Sequence, residues 1–235
     1  MQSMNGFPDA ELSLKDLEQL PAFTVGQLGQ SLDGRIATPS GDSHYINGEV
    51  ARRHLHRLRA LADAVVIGAG TAISDQPQLT VRMVEGEDPV RVLLDPSARV
   101  PQTGPLFENG PVLVWVIGEN TPSPESPPAH VELVRLETAR QGFSPHAVVE
   151  ALNQRGLDRL LIEGGAITVS RFVQANALDR LHLLIAPLLI GSGPAGLRLP
   201  DIDRLADARR PPMRCYRLGD ELLVEVGLKS GKRKG

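Results

Sequence analysis

Along the chain, short unbroken apolar runs alternate with stretches whose apolar residues recur every three or four positions. Residues 23–28, 64–67, 90–94, 112–117 and 160–162 are of the first kind. Rich in Val, Ile and Leu and too short for helices, they predict buried strands. Residues 48–62, 145–154 and 167–175 are of the second kind and predict helices, the first opening near Asn47, a favourable N-cap. Residues 181–190 predict a long apolar strand region interrupted by Pro187. Residues 213–218 and 221–226, split by Gly219-Asp220, predict an antiparallel hairpin. Strands alternating with helices, then a terminal hairpin, indicate an α/β domain with a mixed sheet.

Two stretches fall outside this rhythm. Residues 1–20 read as an appendage, in which 9–20 can form a short acidic helix with Leu12, Leu14 and Leu17 as a weak apolar face. Residues 119–129, ENTPSPESPPA, exclude a helix or an inner strand and predict a surface loop, because the strand–helix rhythm resumes after them. The main domain therefore runs over residues 21–228, followed by a basic, flexible tail at 229–235.

Composition narrows the function classes. The 235 residues suffice for a core without staples, and 41% are hydrophobic. Only 3% are aromatic and the net charge is −3, so neither stacking platforms nor a basic face for nucleic acid is expected. Cys215 is the single cysteine, which excludes an intrachain disulfide and a thiolate zinc site, and points to a reducing cytoplasm. No metal site is expected. No apolar run reaches the roughly 18–20 residues that span a bilayer.

Four motifs carry candidate chemistry. Ser31-Leu32-Asp33-Gly34-Arg35 follows the first strand, where α/β sheets place ligands, although such a sequence is also an ordinary turn. The helix at 48–62 carries Arg52, Arg53, Arg57 and Arg59 beside a Leu55–Leu58–Ala62 stripe. Arg59 lies at the edge of that stripe, where a guanidinium either snorkels to water or meets an anion. Val65–Thr71 runs a strand into a glycine-rich turn, Gly68-Ala69-Gly70-Thr71, able to approach a phosphate or simply to join packed elements. It is followed by Asp75-Gln76-Pro77-Gln78-Leu79-Thr80-Val81-Arg82. Neither a dinucleotide fingerprint nor a P-loop is present, because the glycine spacing stops short. Last, Leu160–Thr168 ends a strand in Glu163, then Gly164-Gly165, then a helix start, which is a ready anion site. A carboxylate there suggests a donor on the ligand.

In order, SLDGRIA at 31–37, GDS at 41–43, ARR…LRA at 51–60, D-x-P-x-LTVR at 75–82, IEGG at 162–165 and DRL…IAPLLIGS at 179–192 resemble the reductase domain of bacterial RibD and its stand-alone relatives. The resemblance covers about residues 23–226 and implies a single dihydrofolate reductase-like domain with a mostly parallel central sheet and flanking helices. The zinc-binding deaminase signature of that family's other half is missing. The resemblance implies an NADPH-dependent reduction in riboflavin biosynthesis. A hydride passes to C1′ of the opened ribose of a phosphoribosylaminopyrimidine, giving a ribityl side chain. It implies that Ser43, Arg59, Leu79, Arg82 and Glu163 hold the substrate. It also implies that Gly29, Tyr45, Gly70, Thr71, Asp75 and the segment Gly164, Gly165, Ala166, Ile167, Thr168 through Arg171 line the cofactor. Asp33 and Glu163 are the carboxylates expected to act in catalysis. Relatives of this kind imply a homodimer, for which the 181–190 strand is a candidate interface. Three positions depart from the family pattern: Gln27 stands where a lysine is usual, Gln76 where an acid is common, and Pro96 near a cofactor-contacting serine. A same-fold reductase of another pyrimidine or a pteridine, and a nucleotide-binding protein without turnover, remain the alternatives.

Overall fold

The computed structural model describes residues 7–43, 46–108 and 110–228. In chain order these form α1 (Glu11–Glu18), β1 (Phe23–Ser31), α2 (Glu49–Leu61), β2 (Ala64–Gly68), α3 (Ala69–Asp75) and β3 (Val90–Leu94). Then come α4 (Pro105–Glu108), β4 (Leu113–Gly118), β5 (Val131–Leu136), β6 (Thr138–Ala139), β7 (Gly142–Phe143) and α5 (Pro145–Asn153). The chain continues through β8 (Arg159–Ile162), α6 (Ala166–Gln174), β9 (Arg180–Ala186), β10 (Met213–Leu218) and β11 (Glu221–Gly227). Each apolar run of the sequence becomes a strand because its backbone is buried, where only a ladder satisfies the N–H and C=O groups.

Among the described residues, nine strands form one sheet in the order β10-β11-β9-β1-β8-β2-β3-β4-β5. The seven strands from β9 to β5 pair in parallel, and β11 and β10 are added antiparallel. The small β6–β7 hairpin stands apart. The helices divide between the two faces by their place in the chain. Leu58 of α2, Ala69 and Ala72 of α3 and Phe107 of α4 pack with Phe23, Val25 and Val65 on one face. Val148 and Leu152 of α5 and Val169 and Phe172 of α6 pack with Val66, Leu160 and Ile162 on the other. The fold thus changes faces where β8 inserts between β1 and β2, the point at which α/β sheets open a crevice.

Three expectations are corrected here. Residues 9–20 are not an appendage: Leu14 and Leu17 of α1 lie in the main core at 4% and 0% exposure. The stripe is Ala10, Ser13, Leu14 and Leu17, with Leu12 outside it, because Ser13 is buried by donating to Glu225 (2.6 Å). Asn47 does not cap α2. Its amide donates to Glu221 Oε2 (2.6 Å), and Glu221 accepts the N–H of Gly48, the residue that precedes the helix. The predicted 181–190 strand stops at Ala186: β9 lies between β1 and β11 inside the sheet, so its edge is not available to another copy, whereas Leu188 and Leu189 beyond it are exposed. The tail at 229–235 lies outside the described residues.

Candidate active site

A cavity of about 990 Å³ opens at the carboxyl ends of β1, β2, β3 and β8. That is the upper end of the range for small-molecule sites. Gln27 and Gly29 reach it from β1, and Gly68 from the end of β2. Ala69, Gly70, Thr71 and Asp75 come from α3, and Gly164 through Thr168 from the start of α6. α3 and α6 start at neighbouring strand ends on opposite faces of the sheet. Their first turns come so close that side chains on the glycines are excluded. A Cβ on Gly68 would overlap the Thr168 hydroxyl, and one on Gly164, at φ +96°, would lie 2.9 Å from that of Thr71. Thr71 Oγ1 accepts the N–H of Gly165 (2.9 Å) and holds the turn. The N–H groups of Ala166 and Ile167, in the first turn of α6, have no intrahelical acceptor and face an anion-favouring dipole end.

The cofactor residues expected from the sequence assemble on this wall: Gly29, Gly70, Thr71, Asp75 and Gly164–Thr168 line it, as does Arg171. Tyr45 lies outside the described residues. The Gly68–Thr71 segment, expected as a turn, is the end of β2 and the first turn of α3. Of the expected substrate residues Ser43 lines the cavity. Arg59, Leu79, Arg82 and Glu163 do not line it; Glu163, next in chain to Gly164, is joined to the Leu79–Arg82 segment through Arg59, whose Nη1 donates to Thr80 O (3.0 Å). Arg59 Nε and Nη2 donate to the two oxygens of Glu163 at 2.7 and 2.8 Å, and both residues are buried. The anion that Arg59 meets is therefore the protein's own, and Glu163 has a donor within the chain. Each carboxylate oxygen keeps a second lone pair. Burial works against the Arg59 charge, and the adjacent Glu163 outweighs it. Leu79 is a core residue at 1% exposure, with left-handed backbone at φ 59°. Arg82 is exposed, its Nη1 donating to Thr80 Oγ1 (2.8 Å), and its charge is disfavoured first by partial burial and then by Arg59.

Asp33 requires a correction. It lies off the cavity, and its carboxylate latches two loops: it accepts from the Ser31 hydroxyl (2.5 Å), Ile190 N–H (3.1 Å) and Gly191 N–H (2.6 Å). These bonds, the Ser31 hydroxyl first, hold its pKa down to about 2, so it is a fixed anion and no proton donor near neutrality.

Several cavity residues escaped the sequence reading. Arg99, Arg140 and Arg198 line it, none pairing with a carboxylate among the described residues. Arg99 follows β3 in a loop pinned by buried Asp95, which accepts Val100 N–H (2.9 Å) and Trp115 Nε1–H (3.3 Å). The rule that ligands gather at carboxyl strand ends points to it. Arg140 sits between β6 and β7, a hairpin that Arg171 ties to α6 by donating to Phe143 O (2.5 Å). No local pattern signals Arg140 or Arg198. Gln27 is 7% exposed. Because Gly26 is in register with Ile162, Gln27 and Glu163 come next in line on one sheet face.

The profile of the RibD C-terminal domain family matches residues 23–223. The chain belongs to this family. It is 34% identical over 221 residues to the 2,5-diamino-6-ribosylamino-4(3H)-pyrimidinone 5′-phosphate reductase of Methanothermobacter thermautotrophicus, covering 88% of this chain and 98% of that protein. It is 32% identical to the riboflavin biosynthesis protein RibD of Aquifex aeolicus, covering 88% of this chain and 58% of that one. Among solved structures, a deaminase/5-amino-6-(5-phosphoribosylamino)uracil reductase of Thermotoga maritima superposes with a TM-score of 0.72 at 27% identity. The match covers 88% of this chain and 56% of that one, so this RibD C-terminal domain chain spans little more than half of such two-part relatives.

Proposed function

We propose that this RibD-type protein is an NADPH-dependent reductase of riboflavin biosynthesis, acting on a ribosylaminopyrimidine 5′-phosphate. What carries the reading is one juxtaposition. A cradle shaped by Gly68, Gly164 and Gly165 continues in chain from Glu163, which Arg59 grips while also reaching Thr80 O in the segment that carries Arg82. Full-length similarity to a reductase named for that substrate supports it.

The residues present fit a dinucleotide cofactor. The start of α6 suits a pyrophosphate, since unpartnered N–H groups and the helix dipole both favour an anion. Four arginines and one carboxylate, Asp75, are the charged groups of the cavity wall among the described residues, which suits the additional 2′-phosphate of NADPH. When bound, the nicotinamide supplies the hydride for C1′ of the opened ribose. Glu163, oriented by Arg59, accepts from the pyrimidine amino and ring N–H groups. Arg82 binds the ribose phosphate, and Ser43 contacts the substrate from the cavity wall. A phosphate-free pteridine would leave Arg82 without a counterpart.

Titration with both nicotinamide cofactors tests the cofactor reading. NADPH should bind at least tenfold more tightly, and Arg99→Ala with Arg140→Ala should narrow the gap, since charge-assisted contacts contribute about 1.5–3 kcal/mol each. Equal affinity in the unmodified protein contradicts it. A single cysteine and the class of reaction suit a reducing cytoplasm. No helix among the described residues is long and apolar enough to cross a membrane. Leu188, Leu189, Leu199, Ile202, Leu205 and Met213 are exposed over one stretch of chain, a surface suited to a second copy. Light scattering should give twice the 25.3 kDa chain mass, and a monomer at micromolar concentration contradicts the dimer.

A further inference from the structure

We infer that His56, on α2, is a positioning residue for substrate binding: its Nδ1 accepts the backbone N–H of Arg82 (3.0 Å) and sets that arginine toward the substrate phosphate. The inference rests on the substrate reading above and adds a residue to it.

The segment from Leu79 to Arg82 has no regular structure and cannot hold its own shape. Leu79 is left-handed, an uncommon state for a bulky side chain that persists only where the surroundings enforce it. Three side chains do so in succession. Thr80 O accepts from Arg59 Nη1 (3.0 Å), Val81 N–H donates to Asp88 (2.6 Å), and Arg82 N–H donates to His56. Arg59 also serves Glu163, and Asp88 is exposed. His56, 5% exposed, is buried like Arg59 and lies on the same helix, and its contact with Arg82 N–H is the one that holds the arginine itself. A lone pair on Nδ1 is needed for the contact, so the imidazole must be neutral, with its single proton on Nε2. Burial first, then the charges of Arg59 and Arg82, bring its pKa down to about 4, which keeps that lone pair available at neutral pH. One rigid helix thereby sets both ends of the substrate site: Glu163 through Arg59, and Arg82 through His56.

Asparagine can place an amide oxygen near the Nδ1 position. Glutamine carries it one atom further out, and leucine has none. Steady-state kinetics with the ribosylaminopyrimidine 5′-phosphate should show KM raised about tenfold in His56→Leu and His56→Gln, the scale of one lost hydrogen bond to a charged site. kcat and the KM for NADPH should stay within about twofold of the unmodified protein, and His56→Asn should restore the substrate KM to within about threefold. Combined with Arg82→Ala, His56→Leu should add nothing further, because both act through one contact. The inference is overturned by additive effects in that double variant, by equal losses in His56→Asn and His56→Gln, or by a fall in kcat with KM unchanged. If Arg82→Ala alone leaves the substrate KM unchanged, the substrate reading fails and this inference with it. If Arg82→Ala raises KM while all three His56 variants do not, only the inference fails.

Discussion

Arg59 and Arg82 differ in surroundings, and the difference separates what their removal should do. Arg59→Ala leaves the Glu163 carboxylate buried and unpaired, a loss of about 3–5 kcal/mol of stability for a broken buried pair. Arg82→Ala removes an exposed group and should change stability by less than about 0.5 kcal/mol. It should raise the KM for a phosphorylated substrate by about ten- to a hundredfold. Urea denaturation together with kinetics on both variants checks this, and a stable Arg59→Ala or a strongly destabilised Arg82→Ala contradicts it. The sequence marked Glu163 through its place between a strand and two glycines, but not its partner, which lies 104 residues away. Asp33 was misread for the same reason. Its carboxylate is satisfied by N–H groups of Ile190 and Gly191, contacts that no local pattern can announce. Gln27, flagged only as a missing lysine, turns out to be next to Glu163 on the sheet face and on the cavity wall.

Most elements were legible where the apolar pattern was strong: β3 spans Val90–Leu94 as expected, and α2, α5, α6 and the terminal hairpin differ at their ends by a residue or so. α3 was missed because a helix of seven residues that begins with Gly68 before it and Gly70 within it has poor intrinsic propensity and is held by packing of Ala69 and Ala72. β5 was missed because it is an edge strand with one fully buried residue, Val134. Also hidden was a buried polar network joining elements distant in sequence. Ser13 of α1, His182 of β9 and Glu225 of β11 meet, and His54 of α2 lies 3.4 Å from His182. Desolvation first, and then His182 and Arg57, lower the His54 pKa from 6.5 to about 3. His54 and His56 are thus neutral in the folded protein where the unfolded chain would bind protons. Their contributions are complete above pH 6.5 and decline as the pH falls, each by up to about 1.4 kcal/mol per pH unit, until the folded-state values are reached. Glu225 adds loss of the same sign at lower pH. Burial alone would raise it, but hydrogen bonds from His182 and Ser13 and the charge of Arg180 bring it from 4.5 down to about 2. Unfolding free energy should therefore fall steadily from pH 6.5 to 4.5, and a flat profile in denaturant titrations contradicts the neutral buried histidines.

Seen as one molecule, the protein places its cavity where the chain switches faces, with α3 and α6 starting back to back at the ends of β2 and β8. Net charge of −3 gives no hint of the four arginines on that cavity's wall, because Arg99, Arg140 and Arg198 come from separate loops and Arg171 from α6, which only the folded chain brings together. The sheet buries its parallel strands under helices on both faces, so the rim of the strands is the part left free to vary. That arrangement suits a reaction in which the protein orients two ligands and the cofactor supplies the chemistry. The most direct test supplies 2,5-diamino-6-ribosylamino-4(3H)-pyrimidinone 5′-phosphate and, separately, NADPH deuterated at either face of C4. NADPH absorbance should fall in step with product, and one of the two labelled cofactors should place a single deuterium at C1′ of a ribityl side chain. Absence of NADPH consumption, or deuterium delivered to the pyrimidine ring instead of C1′, would contradict the assignment.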